Sequence, residues 1–132
     1  EKEELKKYLE SNGIEVDDVG TYSSERCNYP DYAIALCKKV LSCEIKGILL
    51  CGSGIGVSMT ANRFSGIRAA LCRSTKEAEL SREHNDANVL CVGARINTMD
   101  QIQDMTDTWL KTDFAGGRHS ERIALFSELG EK

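Results

Sequence analysis

Three short apolar runs restrict the possible folds of this chain more than any other feature. They span residues 48–51, 67–72 and 89–92. Runs of this length are too short for buried helices and are typical of strands that are covered on both faces, as in parallel sheets. Between them lie two stretches with the residue spacing of a helix, one after Gly56 and one from about Ser74 to His84. We therefore predict an α/β fold, a Rossmann-like doubly wound parallel sheet with flanking helices, which binds ligands at the carboxyl ends of its strands.

The rest of the chain is predicted to be mostly helical. Helical spacing begins at Leu5, and the Asn12-Gly13 pair predicts where this first helix ends. Apolar and polar residues alternate over residues 14–16, which predicts a short strand. Two further helices are predicted, one from Pro30 and one around residues 102–109.

The last segment follows the Gly116-Gly117 pair and carries Ile123 and Phe126 on a narrow apolar stripe. A terminal helix with so narrow a stripe is suited to lie against a neighbouring subunit. We expect a homodimer or homotetramer with its site near the subunit boundary.

Size and charge limit the class of protein. The chain has 132 residues and a formal net charge of −4, which fit a single domain over residues 1–132 that does not bind nucleic acid. No apolar run approaches the roughly 20 residues that a membrane helix needs, and residues 1–4 do not resemble a signal peptide. Six cysteines occur without a Cys-x-x-Cys pair, so we expect reduced thiols in a cytoplasmic protein without a metal site.

The sharpest local signal is the segment Cys51-Gly52-Ser53-Gly54-Ile55-Gly56. It follows an apolar run and precedes a helical stretch, and its three glycines allow several backbone N–H groups to point at one anion. A thiol beside such a loop is favoured as a thiolate, and the same amides suit an oxyanion. A thiolate next to an oxyanion cradle is suited to proton abstraction beside a carbonyl. The alternative is a tight strand–helix turn with a buried cysteine.

Other anion loops fit this segment poorly. No Gly-Lys-Ser/Thr follows, as a Walker loop requires, and the glycine spacing differs from the dinucleotide fingerprint. A cysteine phosphatase would need an arginine soon after the cysteine, where residues 57–59 are Val-Ser-Met.

Several motifs together resemble the ribose-5-phosphate isomerase B family, which includes the galactose-6-phosphate isomerase subunits. The resemblance extends over nearly the whole chain, through residues 29–33, 51–56, 61–62, 66–69, 81–90, 93–95 and 116–119.

The resemblance implies a role for each matching residue. Cys51 matches the base that moves the carbon-bound proton, and His84 the acid that opens the sugar ring. Other positions match substrate contacts: Gly52, Ser53, Gly54, Ile55, Gly56, Asn85 and Tyr29. The phosphate is expected to bind Arg95, Arg118 and Arg122, with His119 either as a further ligand or as a surface residue. No cofactor is implied. Some members of the family use a serine with a glutamate after the loop, but Val57 stands there, so this chain resembles the cysteine type.

One departure from the family stands out. Members carry a first strand that ends in an Asp-His pair, whereas this sequence starts in what resembles the following helix. Since that strand is central in the family's sheet, its absence would leave two strands without a neighbour. We therefore expect a trimmed version of a longer protein, or an inactive one.

The expected activity is interconversion of ribose 5-phosphate and ribulose 5-phosphate. Galactose- or allose-6-phosphate isomerisation is the alternative within the class, and a non-catalytic sugar-phosphate-binding protein is the alternative outside it. The presence of both Cys51 and His84 favours the enzyme, since a sensor needs neither.

Overall fold

The computed structural model describes residues 2–16 and 29–128, with the backbone alone for residues 29, 30, 127 and 128. The described helices and strands, in chain order, are α1 (Lys2–Ser11), α2 (Tyr29–Cys43), β1 (Gly47–Cys51), α3 (Ile55–Ala61), β2 (Ala69–Leu71), α4 (Thr75–Glu83), β3 (Val89–Gly93), α5 (Met99–Lys111), α6 (Arg118–Ala124) and a final 3₁₀ turn (Leu125–Glu128). The three predicted apolar strands and the predicted helices are confirmed, including a helix that begins beside Pro30. The polar stretch over residues 20–28, with Cys27, lies outside the described residues.

The three strands form one parallel sheet in the order β1-β3-β2. The central position of β3 in the sheet explains why its sequence is apolar throughout. Its even-numbered side chains, Leu90 and Val92, pack with α1, α4 and α5, whereas Val89 and Cys91 pack with α2 and α3 on the other face. All five residues of β3 are buried, so the sheet is covered on both faces, as the apolar runs predict.

The strand predicted over residues 14–16 is not formed. Ile14 and Val16 pack against the core, and neither has a ladder partner among the described residues. Alternation predicts a half-buried segment correctly, but it cannot supply the neighbouring strand that makes such a segment a strand.

The edge of β1 that faces away from β3 is open in the described part of the chain. Gly47 N–H bonds to Asn88 O, and Ala94 N–H bonds to Cys51 O. Residues of a strand alternate in direction, so the backbone groups of Ile48 and Leu50 face the other way. They border a groove of about 680 Å³, whose lining also includes Leu5, Leu9, Ile14 and Val16.

Candidate active site

The glycine-rich loop connects the carboxyl end of β1 to α3, as predicted. Gly54 has a φ of 80°, and a Cβ there would lie 2.6 Å from Leu71 Cδ1. Gly93, which ends β3, lies against the same loop, and a Cβ on it would lie 2.6 Å from Ser53 C. Gly54 is favoured by its positive φ, and Gly93 is required because a Cβ would meet the backbone of Ser53. The loop is thereby held against the end of the central strand.

Cys51 lies where β1 meets this loop, with its thiol partly exposed. Gly54 N–H donates to Cys51 Sγ at 3.1 Å, and Ile55 N–H donates to Ser53 Oγ at 3.2 Å. No hydrogen-bond acceptor within the described residues pairs with the amides of Gly52, Ser53 or Gly56. The loop therefore combines an accessible sulfur with backbone donors that are available to an anion.

The other described cysteines differ from Cys51 in their surroundings. Burial raises the pKa of the Cys37 and Cys72 thiols to about 11, and it raises the pKa of Cys91 further. Such thiols stay protonated and behave as small apolar side chains. Cys43 is exposed but lies at the end of α2, away from any glycine loop.

Arg95, a predicted phosphate-binding residue, lies against the loop. Its backbone N–H donates to Gly52 O at 2.9 Å, and a Cβ built on Gly52 would lie 3.4 Å from the Arg95 side chain. Tyr29 begins α2, and the structure does not describe its side chain.

The remaining predicted residues gather elsewhere. The imidazole rings of His84 and His119 are stacked, with centroids 4.4 Å apart and 14° between their planes. Burial, His84, Arg118 and Arg122 lower the pKa of His119, while Glu83 opposes them. Arg118 and Arg122 are exposed and four residues apart on α6, which projects them from one face.

These two groups lie at opposite edges of the sheet. β1 runs from Gly47 to Cys51, so Cys51, the loop and Arg95 are at the carboxyl edge. α4 returns the chain to the amino edge, where His84 and Asn85 precede β3. The length of β1 alone separates the edges by about 13 Å, at roughly 3.3 Å per residue. Within one chain, Cys51 and His84 are therefore not neighbours.

A network of charged residues at the turn after α4, close in sequence to His84, was not predicted from the sequence. Arg68 and Arg82 both bind Asp86, at 3.4 and 2.8 Å. The available signal was an arginine four residues before an aspartate at the end of a predicted helix.

Among the described residues, no cluster of three or more His, Cys, Asp or Glu side chains could hold a metal ion. None of the described helices is long and apolar enough to span a membrane.

The sheet is Rossmann-like. It carries a thiol on an amide-lined loop and, separately, a cluster of histidines and arginines. These features define a class of α/β protein that binds small anionic substrates. Comparison with known proteins makes this specific. The sequence profile of the Ribose/Galactose Isomerase family matches residues 1–126, and the chain belongs to that family.

The relatives and the solved structures agree. Ribose-5-phosphate isomerase B of Escherichia coli (strain K12) is 42% identical over 132 residues, which cover 99% of this chain and 89% of the relative. A ribose 5-phosphate isomerase structure from Thermotoga maritima has a TM-score of 0.94 at 49% identity, covering 97% of this chain and 89% of its own. The Mycoplasma genitalium ribose-5-phosphate isomerase B structure contains bound ribulose-5-phosphate. It has a TM-score of 0.92 at 37% identity, with coverage of 96% and 85%.

Proposed function

We propose that this chain interconverts ribose 5-phosphate and ribulose 5-phosphate through an enediolate, with Cys51 as the base. The observation that carries the proposal is the Cys51 thiol, which accepts the Gly54 N–H beside three loop amides that have no acceptor within the described residues. The thiolate removes the proton from C2 of the open-chain aldose and returns it to C1, while a second proton passes from the O2 hydroxyl to O1. The negative charge that develops on the substrate oxygens meets the amides of Gly52, Ser53 and Gly56. Donors held in place before the reaction stabilise such charge without reorganisation.

His84 acts before the proton transfer. Ribose 5-phosphate is mostly cyclic, so its ring must open when a proton moves from the O1 hydroxyl to the ring oxygen. An imidazole can carry that proton, because one ring nitrogen accepts a proton while the other donates one. His84 and Asn85 would act at the sugar, while Arg118 and Arg122 would bind its phosphate, with Arg95 as a third contact. His119 could add a further contact from its place between the two arginines.

The separation of Cys51 from His84 leads us to infer that the working form is at least a homodimer, in which the amino edge of one copy meets the carboxyl edge of its partner. Each site would then use Cys51 from one subunit and His84 from the other. α6 favours this arrangement, since none of its described side chains is buried and Leu125 and Phe126, just beyond it, are also exposed. A two-fold axis makes two such sites per dimer.

The five described cysteines are free, which supports the further inference of a reducing, cytoplasmic location.

The test follows ketose formation from ribose 5-phosphate by the purified protein and by Cys51→Ala. Losing a general base should lower kcat by roughly 10²–10⁴-fold. Cys43→Ala removes an exposed thiol as the matched control and should leave kcat unchanged. Near-normal turnover by Cys51→Ala would refute the assignment. Galactose 6-phosphate and allose 6-phosphate, assayed in parallel, identify the preferred sugar.

A further inference from the structure

Arg82 is a buried charged residue at the end of α4, only 7% exposed. Buried guanidinium groups are rare and are normally paired. Its Nη1 lies 2.8 Å from Asp86 Oδ1 and donates to Ala87 O at 2.7 Å, while its Nε donates to Thr112 O at 3.1 Å. One side chain therefore joins the turn after α4 to the segment after α5.

The first of these attachments fixes the turn that carries His84 and Asn85. Asp86 has a φ of 47°, which is uncommon for a residue other than glycine. Arg68 holds it from the other side, because its Nε donates to Asp86 O at 2.7 Å and its Nη2 lies 3.4 Å from Asp86 Oδ2. The carboxylate between two guanidinium groups maintains a backbone conformation that is otherwise unfavourable.

The second attachment fixes the segment that leads to α6. Thr112 binds Arg82, and Ala115 N–H donates to Glu83 O at 2.9 Å. These two bonds fasten residues 112–115 to the end of α4. α6 begins three residues later and carries His119, whose ring stacks on His84.

We propose that Arg82 is a positioning residue for the isomerisation, which sets the relative placement of His84 and His119 by holding the chain that leads to each ring. The inference rests on the proposed function for its kinetic consequence alone. Lysine keeps the charge but lacks the planar fork that reaches three acceptors at once, so Arg82→Lys separates positioning from charge.

The direct test is NMR of the imidazole C–H groups, because the chain contains only 2 histidines. His84→Asn and His119→Gln assign the two signals. Stacked rings shift each other's resonances upfield. In Arg82→Lys we expect both signals to move towards the positions of free histidine, whereas Arg63→Lys, an exposed control, leaves them in place. Unchanged histidine signals in folded Arg82→Lys would overturn the proposal, whether or not the protein proves to be an isomerase.

The kinetic test compares ribose 5-phosphate with 4-deoxyribose 5-phosphate, which lacks the hydroxyl that closes the ring. If Arg82→Lys displaces His84, kcat on the cyclic substrate should fall by about 10- to 100-fold. The kcat on the open-chain substrate should stay unchanged. Equal losses on both substrates would mean a general structural role. If Arg82→Lys does not fold, Asp86→Asn provides the same measurements, since asparagine tolerates the positive φ. If neither variant unfolds cooperatively, Arg82 is a stability element and the proposal is wrong.

Discussion

Cys51 ends β1 at the carboxyl edge of the sheet, whereas His84 ends α4 at the amino edge. In the proposed mechanism Cys51 acts at C2 and C1 of the sugar, and His84 acts at O1 and the ring oxygen of the same molecule, so we expect the two side chains to come from two copies of the chain. This relationship gives the sharpest prediction about the assembly.

Mixing two inactive variants should restore activity. Cys51→Ala and His84→Asn homodimers each lack one essential group in both sites. Half of the dimers in an equal, re-equilibrated mixture are mixed, and each mixed dimer has one intact site, so we expect about a quarter of wild-type turnover. The measurement is isomerase activity before and after subunit exchange. A mixture of Cys51→Ala with Cys51→Ser serves as the control and should stay inactive. Absence of restoration after verified exchange would show that Cys51 and His84 act within one chain.

Arg122→Ala should weaken substrate capture. A charge-assisted contact to phosphate contributes roughly 1.5–3 kcal/mol, which corresponds to a loss of roughly 10- to 150-fold. We expect KM for ribose 5-phosphate to rise and inhibition by inorganic phosphate to weaken in parallel. Lys38→Ala removes one exposed cation from α2 and should change neither constant. If Arg122→Ala alters only the melting temperature, then Arg122 is a solvated helix residue.

The stability of the protein should fall in mild acid because of His119. Burial first, and then His84, Arg118 and Arg122, lower its pKa below the ordinary value of 6.5. The unfolded chain therefore binds more protons than the folded one below about pH 6.5, so this contribution is present at higher pH and is lost as the pH falls. Urea unfolding of wild type and His119→Gln between about pH 7.5 and 5 measures it. We expect the free energy of unfolding to fall more steeply in the wild type, and parallel curves would contradict the prediction.

Amide exchange along β1 should alternate. Leu49 and Cys51 direct their N–H groups towards β3, whereas those of Ile48 and Leu50 face the open edge. Hydrogen exchange followed by NMR should show slow exchange at Leu49 and Cys51 and much faster exchange at Ile48 and Leu50. The amides of β3, which is paired on both sides, provide the internal reference. Uniform protection along β1 would mean that another segment pairs with this edge.

The fold was predictable where a segment consists almost entirely of apolar residues. The apolar run that contains Leu90 and Cys91 predicts a strand because both faces of the central strand are covered, and no polar side chain fits there. Ile14 and Val16 were predicted as a strand for a similar reason, wrongly, because a strand depends on a neighbour that the local sequence does not encode.

The site was predictable only in part. The glycine spacing beside Cys51 predicts the amide-lined loop from local geometry. The local sequence around His84 does not indicate that this residue lies at the amino edge of the sheet. That position follows from the order of strands and helices, once α4 is known to run back along the sheet. Arg82 and Asp86 resemble an exposed ion pair at a helix end in the sequence, whereas in the structure Arg82 is buried and also binds the carbonyl of Thr112, thirty residues further along.

The open edge of β1 also bears on how the protein behaves at high concentration. Within the described residues, the backbone groups of Ile48 and Leu50 on this edge face no neighbouring strand and border an apolar groove. A free edge of this kind is a template on which a strand from another molecule can pair. Such pairing does not require the two-fold contact proposed for catalysis. We therefore expect concentrated solutions of a chain that leaves this edge uncovered to lose material to aggregates that have more sheet than the native protein.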